Sequence, residues 1–97
     1  MISKMIGQLH ARPRLYHWRT LAGAEVDIVL ARDGLLYPIE FKSGTRIDGY
    51  DSRGIKALKQ TYGDVVQHGL IVYAGRECYK LNEFATVVPF NAVMRTT

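Results

Sequence analysis

The sequence predicts a single α/β domain with a mixed sheet, and three observations lead to that class. An Asp33-Gly34 pair separates two β-rich segments, which is the strongest short-range signal for a hairpin. A segment with the apolar spacing of a helix follows this hairpin. A continuous apolar run, Gly69–Tyr73, comes next and is typical of a strand that is covered on both faces. The predicted order of elements is α-β-β-β-α-β-β-β over residues 1–97, without an internal repeat or domain boundary.

The first half of the chain is predicted to contain one helix and three strands. Four apolar residues have the i, i+3, i+4, i+7 spacing of a short amphipathic helix, which Pro13 ends; they are Ile2, Met5, Ile6 and Leu9. Strands are predicted at Leu15–Thr20, which is rich in aromatic residues, and on either side of the Asp33-Gly34 turn, at Glu25–Arg32 and Leu35–Lys42.

The second half is predicted to contain a helix and three further strands. Asp51 or Ser52 is expected to cap the helix, and Gly63 is expected to end it. Its inner face is predicted to carry Ile55, Leu58 and Tyr62. The strands are predicted at Gly69–Tyr73, Glu77–Leu81 and Thr86–Phe90, and Cys78 is expected to be buried and inert in the second of these.

The composition favours a cytoplasmic protein with an anionic partner. The formal net charge is +4, which favours nucleic acid among possible partners, although many basic domains of this size bind nothing anionic. No apolar run approaches the ~20 residues needed to cross a bilayer, so we expect no membrane partner. The single cysteine has no cysteine with which it could form an internal disulfide or a metal site.

The hairpin brings four ionisable side chains to one face of the predicted sheet. A two-residue turn sets the register, so Arg32 faces Leu35, Ile28 faces Ile39 and Leu30 faces Tyr37. Continuing outward, Asp27 lies opposite Glu40 and Glu25 lies opposite Lys42, and directly paired residues share a face. The opposite face is then expected to form a core layer, in which Val26 pairs with Phe41 and Ile28 with Ile39.

The pairing of Asp27 with Glu40 indicates a metal site. Two carboxylates directly opposite each other repel, and a hard divalent cation such as Mg²⁺, which prefers oxygen ligands, removes that repulsion. Lys42 is close enough to orient a water molecule or to neutralise a phosphate. With only the charges considered, a structural interpretation stays open, in which Glu25 and Lys42 form a plain ion pair and Asp27 binds a loop amide.

Asp27 and Glu40-Phe41-Lys42 resemble the signature of the PD-(D/E)XK nuclease superfamily, which is an Asp on one strand and (Asp/Glu)-x-Lys on the next. The closer similarity, over roughly Leu15 to Phe90, is to the C-terminal domain of unknown function 4143 that follows an AAA+ ATPase module in prokaryotic proteins. The stretches that resemble this domain most are Tyr16-His17-Trp18-Arg19, Gly23-Ala24-Glu25-Val26-Asp27 and Tyr37-Pro38-Ile39-Glu40-Phe41-Lys42-Ser43-Gly44.

The resemblance implies a restriction-endonuclease-like fold and a role for each signature residue. Asp27 and Glu40 would be ligands of Mg²⁺ or Mn²⁺, with the Phe41 carbonyl as a third ligand. Lys42 would be the catalytic lysine, and Glu25 an auxiliary acid. The chain departs from the superfamily in one respect, because Met1–Arg14 contains no acidic residue that a first helix could supply, and Glu25 is the candidate substitute.

Four basic residues after the signature are candidates for contacts with backbone phosphates: Arg46, Arg53, Lys56 and Lys59. A solvated helix face is the alternative interpretation. Trp18 is expected in the core, and the three histidines, His10, His17 and His68, are expected to be surface or packing residues.

The expected function is a metal-dependent nuclease-like domain that binds nucleic acid, DNA first, and hydrolyses phosphodiester bonds. The alternative is an inactive nucleic-acid-binding or oligomerisation module, as a homodimer or attached to an ATPase. A third interpretation is a purely structural domain of a larger ATPase. The sequence has no Gly-x-x-x-x-Gly-Lys-(Ser/Thr) phosphate loop, so we expect the C-terminal portion of a longer protein or a stand-alone remnant.

Overall fold

The computed structural model describes residues 12–91, which form a mixed sheet of six strands with one α-helix. The strands are β1 (Arg14–Arg19), β2 (Glu25–Arg32), β3 (Leu35–Phe41), β4 (Gly69–Tyr73), β5 (Tyr79–Lys80) and β6 (Ala85–Pro89), and the helix is α1 (Arg53–Tyr62). The α/β class and the mixed sheet are confirmed. The helix predicted over residues 2–9 lies outside the described residues, so the described order is β-β-β-α-β-β-β.

The sheet has an antiparallel half and a parallel centre. The strand order is β1-β2-β3-β4-β6-β5, in which β1, β2 and β3 are antiparallel neighbours, and β3, β4 and β6 are parallel. A parallel pair needs a crossover connection, and α1 lies in the connection between β3 and β4. The carboxyl ends of β3, β4 and β6 therefore lie at one edge of the sheet.

The turn at Asp33-Gly34 has the geometry that its sequence predicts. Both residues have positive φ, 53° at Asp33 and 80° at Gly34, as a type I′ turn requires. The pairing of Arg32 with Leu35 continues to Ile28 with Ile39, so the predicted register is confirmed over this range.

The predicted core layer was wrong, because β2 contains a bulge. Tyr16 pairs with Val29 but Trp18 pairs with Val26, so a step of two residues along β1 matches a step of three residues along β2. The extra residue in β2 reverses, near Asp27, which side chains of this strand point to each face of the sheet. Val26 and Val29 are consequently both fully buried in one core cluster with Ile55 of α1. Phe41, in contrast, is 45% exposed, and Ile28 and Ile39 are half-buried.

The helix begins differently from the sequence-based expectation. Ser52 occupies the cap position of α1, but its hydroxyl donates to the carbonyl of Gly49 and its side chain caps no helical amide. A 3-10 turn, Gly49–Ser52, precedes the helix, and Asp48 caps this turn by accepting from Tyr50 N. The carboxylate of Asp51 accepts from the backbone amide of Asp48 and completes a capping box.

In the second half of the chain, the expected end of α1 is confirmed, whereas the expected burial of two side chains is wrong. Gly63 ends α1 with φ of 76°, as predicted. Tyr62 is 39% exposed instead of lying on the inner face, since the core on that side is completed by Val66 from the following segment. The expected burial of Cys78 is wrong: it is exposed just before β5, an edge strand whose two residues are exposed as well. No helix among residues 12–91 is long and apolar enough to span a membrane.

Candidate active site

The signature residues meet in one small pocket beside the start of α1. The pocket has a volume of about 130 Å³. It is lined by Glu25, Asp27, Glu40, Phe41 and Lys42 from the hairpin strands and the residue after them, and by Asp51, Arg53 and Gly54 from the segment that begins α1.

Side chains replace the β ladder at the end of the hairpin. The regular pairs between β2 and β3 end at Ile28 and Ile39. Beyond them, the backbone amide of Asp27 donates to Oε1 of Glu40 at 3.2 Å, and the amide of Phe41 donates to Oδ2 of Asp27 at 2.9 Å. Each carboxylate thus satisfies an amide of the opposite strand with one oxygen. The other oxygen, Oε2 of Glu40 or Oδ1 of Asp27, accepts no backbone amide of residues 12–91.

The environment of Glu40 opposes its ionisation. The side chain lies on the face that packs against α1, and it is the one buried carboxylic acid within residues 12–91, at 7% exposure. The pKa of Glu40 is raised from its ordinary value of 4.5 to about 7, chiefly by burial. The charge and the carboxyl group of Asp27 also raise this pKa, whereas the hydrogen bond from the Asp27 amide and the charge of Lys42 lower it. Without a cation, Glu40 is therefore largely protonated below neutral pH.

The ammonium group of Lys42 is held beside this pair by an acid that the sequence analysis did not assign to the site. Nζ of Lys42 lies 3.4 Å from Oδ1 of Asp51, and both side chains are mostly shielded from solvent. Asp51 is itself held by the capping box of the 3-10 turn, so the ion pair connects the end of β3 to the start of α1. The structural interpretation expected an ion pair between Glu25 and Lys42, but Lys42 pairs with Asp51 instead. It also expected Asp27 to accept a hydrogen bond from a loop amide, and the amide that donates to Asp27 is that of the strand residue Phe41.

Glu25 has a different partner, on the edge strand. Oε2 of Glu25 lies 3.2 Å from Nε2 of His17, whose other ring nitrogen lies 3.3 Å from the carbonyl oxygen of Asp27. His17 stands in β1 opposite the bulge in β2. The histidine expected to be a surface or packing residue thus contacts two residues of the pocket, although its side chain and that of Glu25 are about half exposed.

Gly54 allows the helix to approach the strands at this point. A Cβ atom at this position would overlap the backbone carbonyl oxygen of Glu25 and would lie 2.9 Å from Oε2 of Glu40. The absence of a side chain therefore lets the first turn of α1 close one wall of the pocket.

A family model described as a domain of unknown function, DUF4143, matches residues 1–93. The chain belongs to the DUF4143 family. No curated protein and no solved structure matches the chain.

The four basic residues predicted to bind phosphate lie in different environments in the DUF4143 domain. Arg53 lines the pocket, and its guanidinium group lies 3.9 Å from the centroid of the Tyr50 ring and donates to the Tyr50 carbonyl. Lys56 is exposed on α1, and Arg46 is exposed in the loop after β3. Nζ of Lys59 instead donates to the carbonyl of Val66 at 3.4 Å. The structure thus brings only Arg53 of the four to the signature residues.

The donor set of the DUF4143 pocket fits a hard divalent cation. Asp27 and Glu40 each have a carboxylate oxygen that accepts no backbone amide from the described part of the chain, and Phe41, the source of the third predicted ligand, lines the same pocket. Over the described range 12–91, no group of three or more Asp, Glu, His or Cys side chains is arranged to hold a metal. A cation here would therefore depend on two carboxylates, backbone oxygen and water.

The sequence analysis missed Asp51 and Gly54, and each had a local signal. Asp48 and Asp51 have the spacing of a capping box, which indicates a carboxylate directed back toward the preceding loop. A glycine in the first turn of a helix is unfavourable by about 1 kcal/mol relative to alanine, and such a residue often marks a close approach of two backbones. Neither signal indicates which residue of the hairpin Asp51 or Gly54 contacts.

Proposed function

We propose that this DUF4143 domain is a metal-dependent phosphodiester hydrolase that acts on nucleic acid, with a restriction-endonuclease-like arrangement of its hairpin. One observation carries the proposal: Asp27, Glu40 and Lys42 line a single pocket at the end of the hairpin. DNA is the proposed substrate, the domain is attached to an ATPase module or forms a homodimer, and its location is the cytoplasm.

The proposed roles follow from the donor types in the pocket. Asp27, Glu40 and the carbonyl of Phe41 would hold Mg²⁺ or Mn²⁺, which when bound would polarise a phosphate oxygen and favour ionisation of water. Lys42 places a positive charge beside the carboxylates, where it stabilises the negative charge that develops on a phosphate. Arg53 would bind a neighbouring phosphate, since a guanidinium suits the oxygen atoms of phosphate, and Glu25 would orient the attacking water as an auxiliary acid.

The reaction is a hydrolysis and needs no other reactant. The oxygen of water forms a bond to phosphorus, the bond from phosphorus to one ester oxygen breaks, and the proton lost by water is balanced by the proton gained by the leaving oxygen.

The test separates metal binding from turnover. Lys42→Ala should leave Mn²⁺ affinity within about twofold, since an ammonium is not a ligand, but should lower the cleavage rate by about 10²- to 10⁴-fold. Asp27→Asn should weaken Mn²⁺ binding and abolish cleavage, because one of two charged oxygen donors is lost. Lys80→Ala, a lysine exposed on β5, is the matched control and should change neither property.

Mn²⁺ binding is measured by calorimetry, and cleavage is followed on plasmid and on single strands. A wild-type protein that binds Mn²⁺ but cuts neither substrate would contradict the hydrolase proposal. Loss of cleavage in Lys80→Ala to the same degree as in Lys42→Ala would contradict the role of Lys42.

The inactive nucleic-acid-binding module is the second candidate, and the small acidic donor set favours it. Within the described part of the chain, no three acidic, histidine or cysteine side chains are arranged to hold a metal, and the two proposed carboxylate ligands, Asp27 and Glu40, each already accept a backbone amide. In an inactive module these amide bonds would be structural, so Asp27→Asn would lower the melting temperature of the metal-free protein. In the hydrolase, at a pH above 7 where Glu40 is ionised, the same variant should melt at or above the wild-type temperature, because a carboxylate repulsion disappears.

A further inference from the structure

A second and larger pocket adjoins the candidate active site at the carboxyl ends of β3 and β4. It has a volume of about 590 Å³, which lies in the range of about 300–1,000 Å³ typical of small-molecule sites. Phe41 and Lys42 line both pockets, so the two pockets are direct neighbours. The carboxyl edge of parallel strands is also where α/β sheets commonly bind ligands.

The walls of this pocket are held by hydrogen bonds. The amide of Lys42 donates to the carbonyl of Val72 at 2.8 Å, and the amide of Ala74 donates to the carbonyl of Gly44 at 3.1 Å. The hydroxyl of Tyr73 donates to the carbonyl of Glu77 and accepts from its amide, both at 2.9 Å, which closes the loop after β4. The cavity is therefore built into the end of the sheet.

Two phenyl rings in the wall are exposed where an apolar residue would ordinarily be covered. Phe41 is 45% exposed and Phe90 is 49% exposed, and both line the pocket together with the buried Val72. Ser43 and Asn91 add polar groups to the same wall, and Lys42 adds a positive charge on the side of the candidate active site. An occupant that matches this lining has a flat apolar face, hydrogen-bonding edges and a negative charge on one side.

We propose that the larger pocket binds the base of an unpaired nucleotide, whose phosphate lies at Lys42, and that the preferred substrate is therefore single-stranded. This inference rests on the proposed function, since it places the bound strand against the same site. A base stacks on an aromatic side chain with a favourable free energy of about 1–3 kcal/mol, whatever its identity. A base inside a duplex reaches such a pocket only after unpairing, which costs a few kcal/mol.

The experiment measures stacking directly. The full-length protein is titrated, with Ca²⁺ in place of Mg²⁺, into a short single-stranded oligonucleotide that contains one 2-aminopurine, and into the duplex of the same sequence. Wild-type protein should change the 2-aminopurine fluorescence of the single strand and bind it at least about tenfold more tightly than the duplex. Phe90→Leu should weaken single-strand binding by about 5- to 100-fold and remove the fluorescence change.

Tyr62→Leu is the matched control, because Tyr62 is a comparably exposed aromatic residue on α1 that does not line this pocket. It should bind both oligonucleotides as the wild type does. Equal affinity for single strand and duplex, or an unchanged Phe90→Leu variant, would overturn the inference. The inference would also be overturned if the protein bound free deoxyadenosine monophosphate in a manner that depends on Phe90 but did not bind the oligonucleotide.

Cleavage assays separate this inference from the proposed function. If the protein binds single strands through Phe90 but cuts nothing with Mn²⁺, the base pocket stands and the hydrolase proposal fails. If the protein cuts duplex and single strand equally and Phe90→Leu cuts both at the wild-type rate, the hydrolase stands and the base pocket is wrong.

Discussion

Glu40 is the residue whose environment most constrains the site. It is buried against α1, it accepts the Asp27 amide, and it shares the pocket with the Asp27 carboxylate. A raised pKa means that the folded protein binds a proton more tightly than the unfolded chain does. The proton therefore stabilises the metal-free fold below the ordinary pKa of a glutamate, and this stabilisation is lost as the pH rises toward 7.

The first residue-scale prediction is a stability that falls with pH. Because the pKa of Glu40 is about 7 instead of 4.5, the free energy of unfolding of the metal-free protein should fall by about 2–3 kcal/mol between roughly pH 5 and pH 8. Glu40→Gln keeps the acceptor for the Asp27 amide but carries no charge, so this contribution should disappear. Urea unfolding in EDTA measures the effect. Glu83→Gln, at an exposed position, is the control, and a wild type equally stable at both pH values would contradict the prediction.

Asp51 is predicted to act on the reaction through Lys42. Asp51→Asn preserves a hydrogen-bond acceptor for the amide of Asp48 but removes the charge that holds Nζ of Lys42. The stability of the fold should change by no more than about 1 kcal/mol, as expected for a partly exposed ion pair. Cleavage should lose kcat with little change in KM, because the lysine is less well positioned while the substrate contacts remain. A fall in melting temperature large enough to account for the lost activity would instead assign Asp51 a structural role.

At the scale of elements, the pocket exists because β2, β3 and α1 meet where regular pairing stops. The bulge in β2 turns Val26 into the core, and the amides beyond Ile28 and Ile39 are satisfied by carboxylates. The first turn of α1 then covers this end of the hairpin, with Gly54 against the carbonyl of Glu25. The distance between helix and strand is thus set by a residue without a side chain.

Gly54→Ala is predicted to destabilise the protein although alanine favours helices. The helix preference would add about 1 kcal/mol of stability, but the new Cβ would overlap the Glu25 carbonyl, and overpacking of this kind typically costs about 1–3 kcal/mol. We expect a lower melting temperature and weaker Mn²⁺ binding. Gly49→Ala is the matched control, because a Cβ at that position meets no atom within 4 Å. An equal effect of both substitutions would contradict the close-approach argument.

At the scale of the whole molecule, the net charge of +4 includes two cationic side chains that line the pocket, Lys42 and Arg53, and others that lie farther along the helix. Arg53 is held by Tyr50 at the pocket, Lys56 is exposed on α1, and Lys59 is already bonded to the Val66 carbonyl. A bound strand would therefore use these residues unequally.

The predicted order of effects on nucleic-acid binding is Arg53→Ala largest, Lys56→Ala intermediate and Lys59→Ala smallest. Each lost phosphate contact should reduce the slope of log affinity against log salt by about 0.7 for a single strand. Fluorescence anisotropy over a salt series gives these slopes, with Arg32→Ala at the exposed end of β2 as the control. Equal slopes in all four variants would show that the basic helix face is only solvated.

The sequence by itself determined the hairpin, its register and the proximity of Asp27 to Glu40, because a two-residue Asp-Gly turn fixes these by local geometry. It also determined the position of α1 and its end at Gly63. Only the tertiary structure decided which face of β2 is buried, since the bulge depends on pairing with β1 and leaves no mark in the apolar alternation. It likewise decided that Lys42 pairs with Asp51 and that Gly54 meets Glu25, because contacts between separate elements depend on how those elements pack.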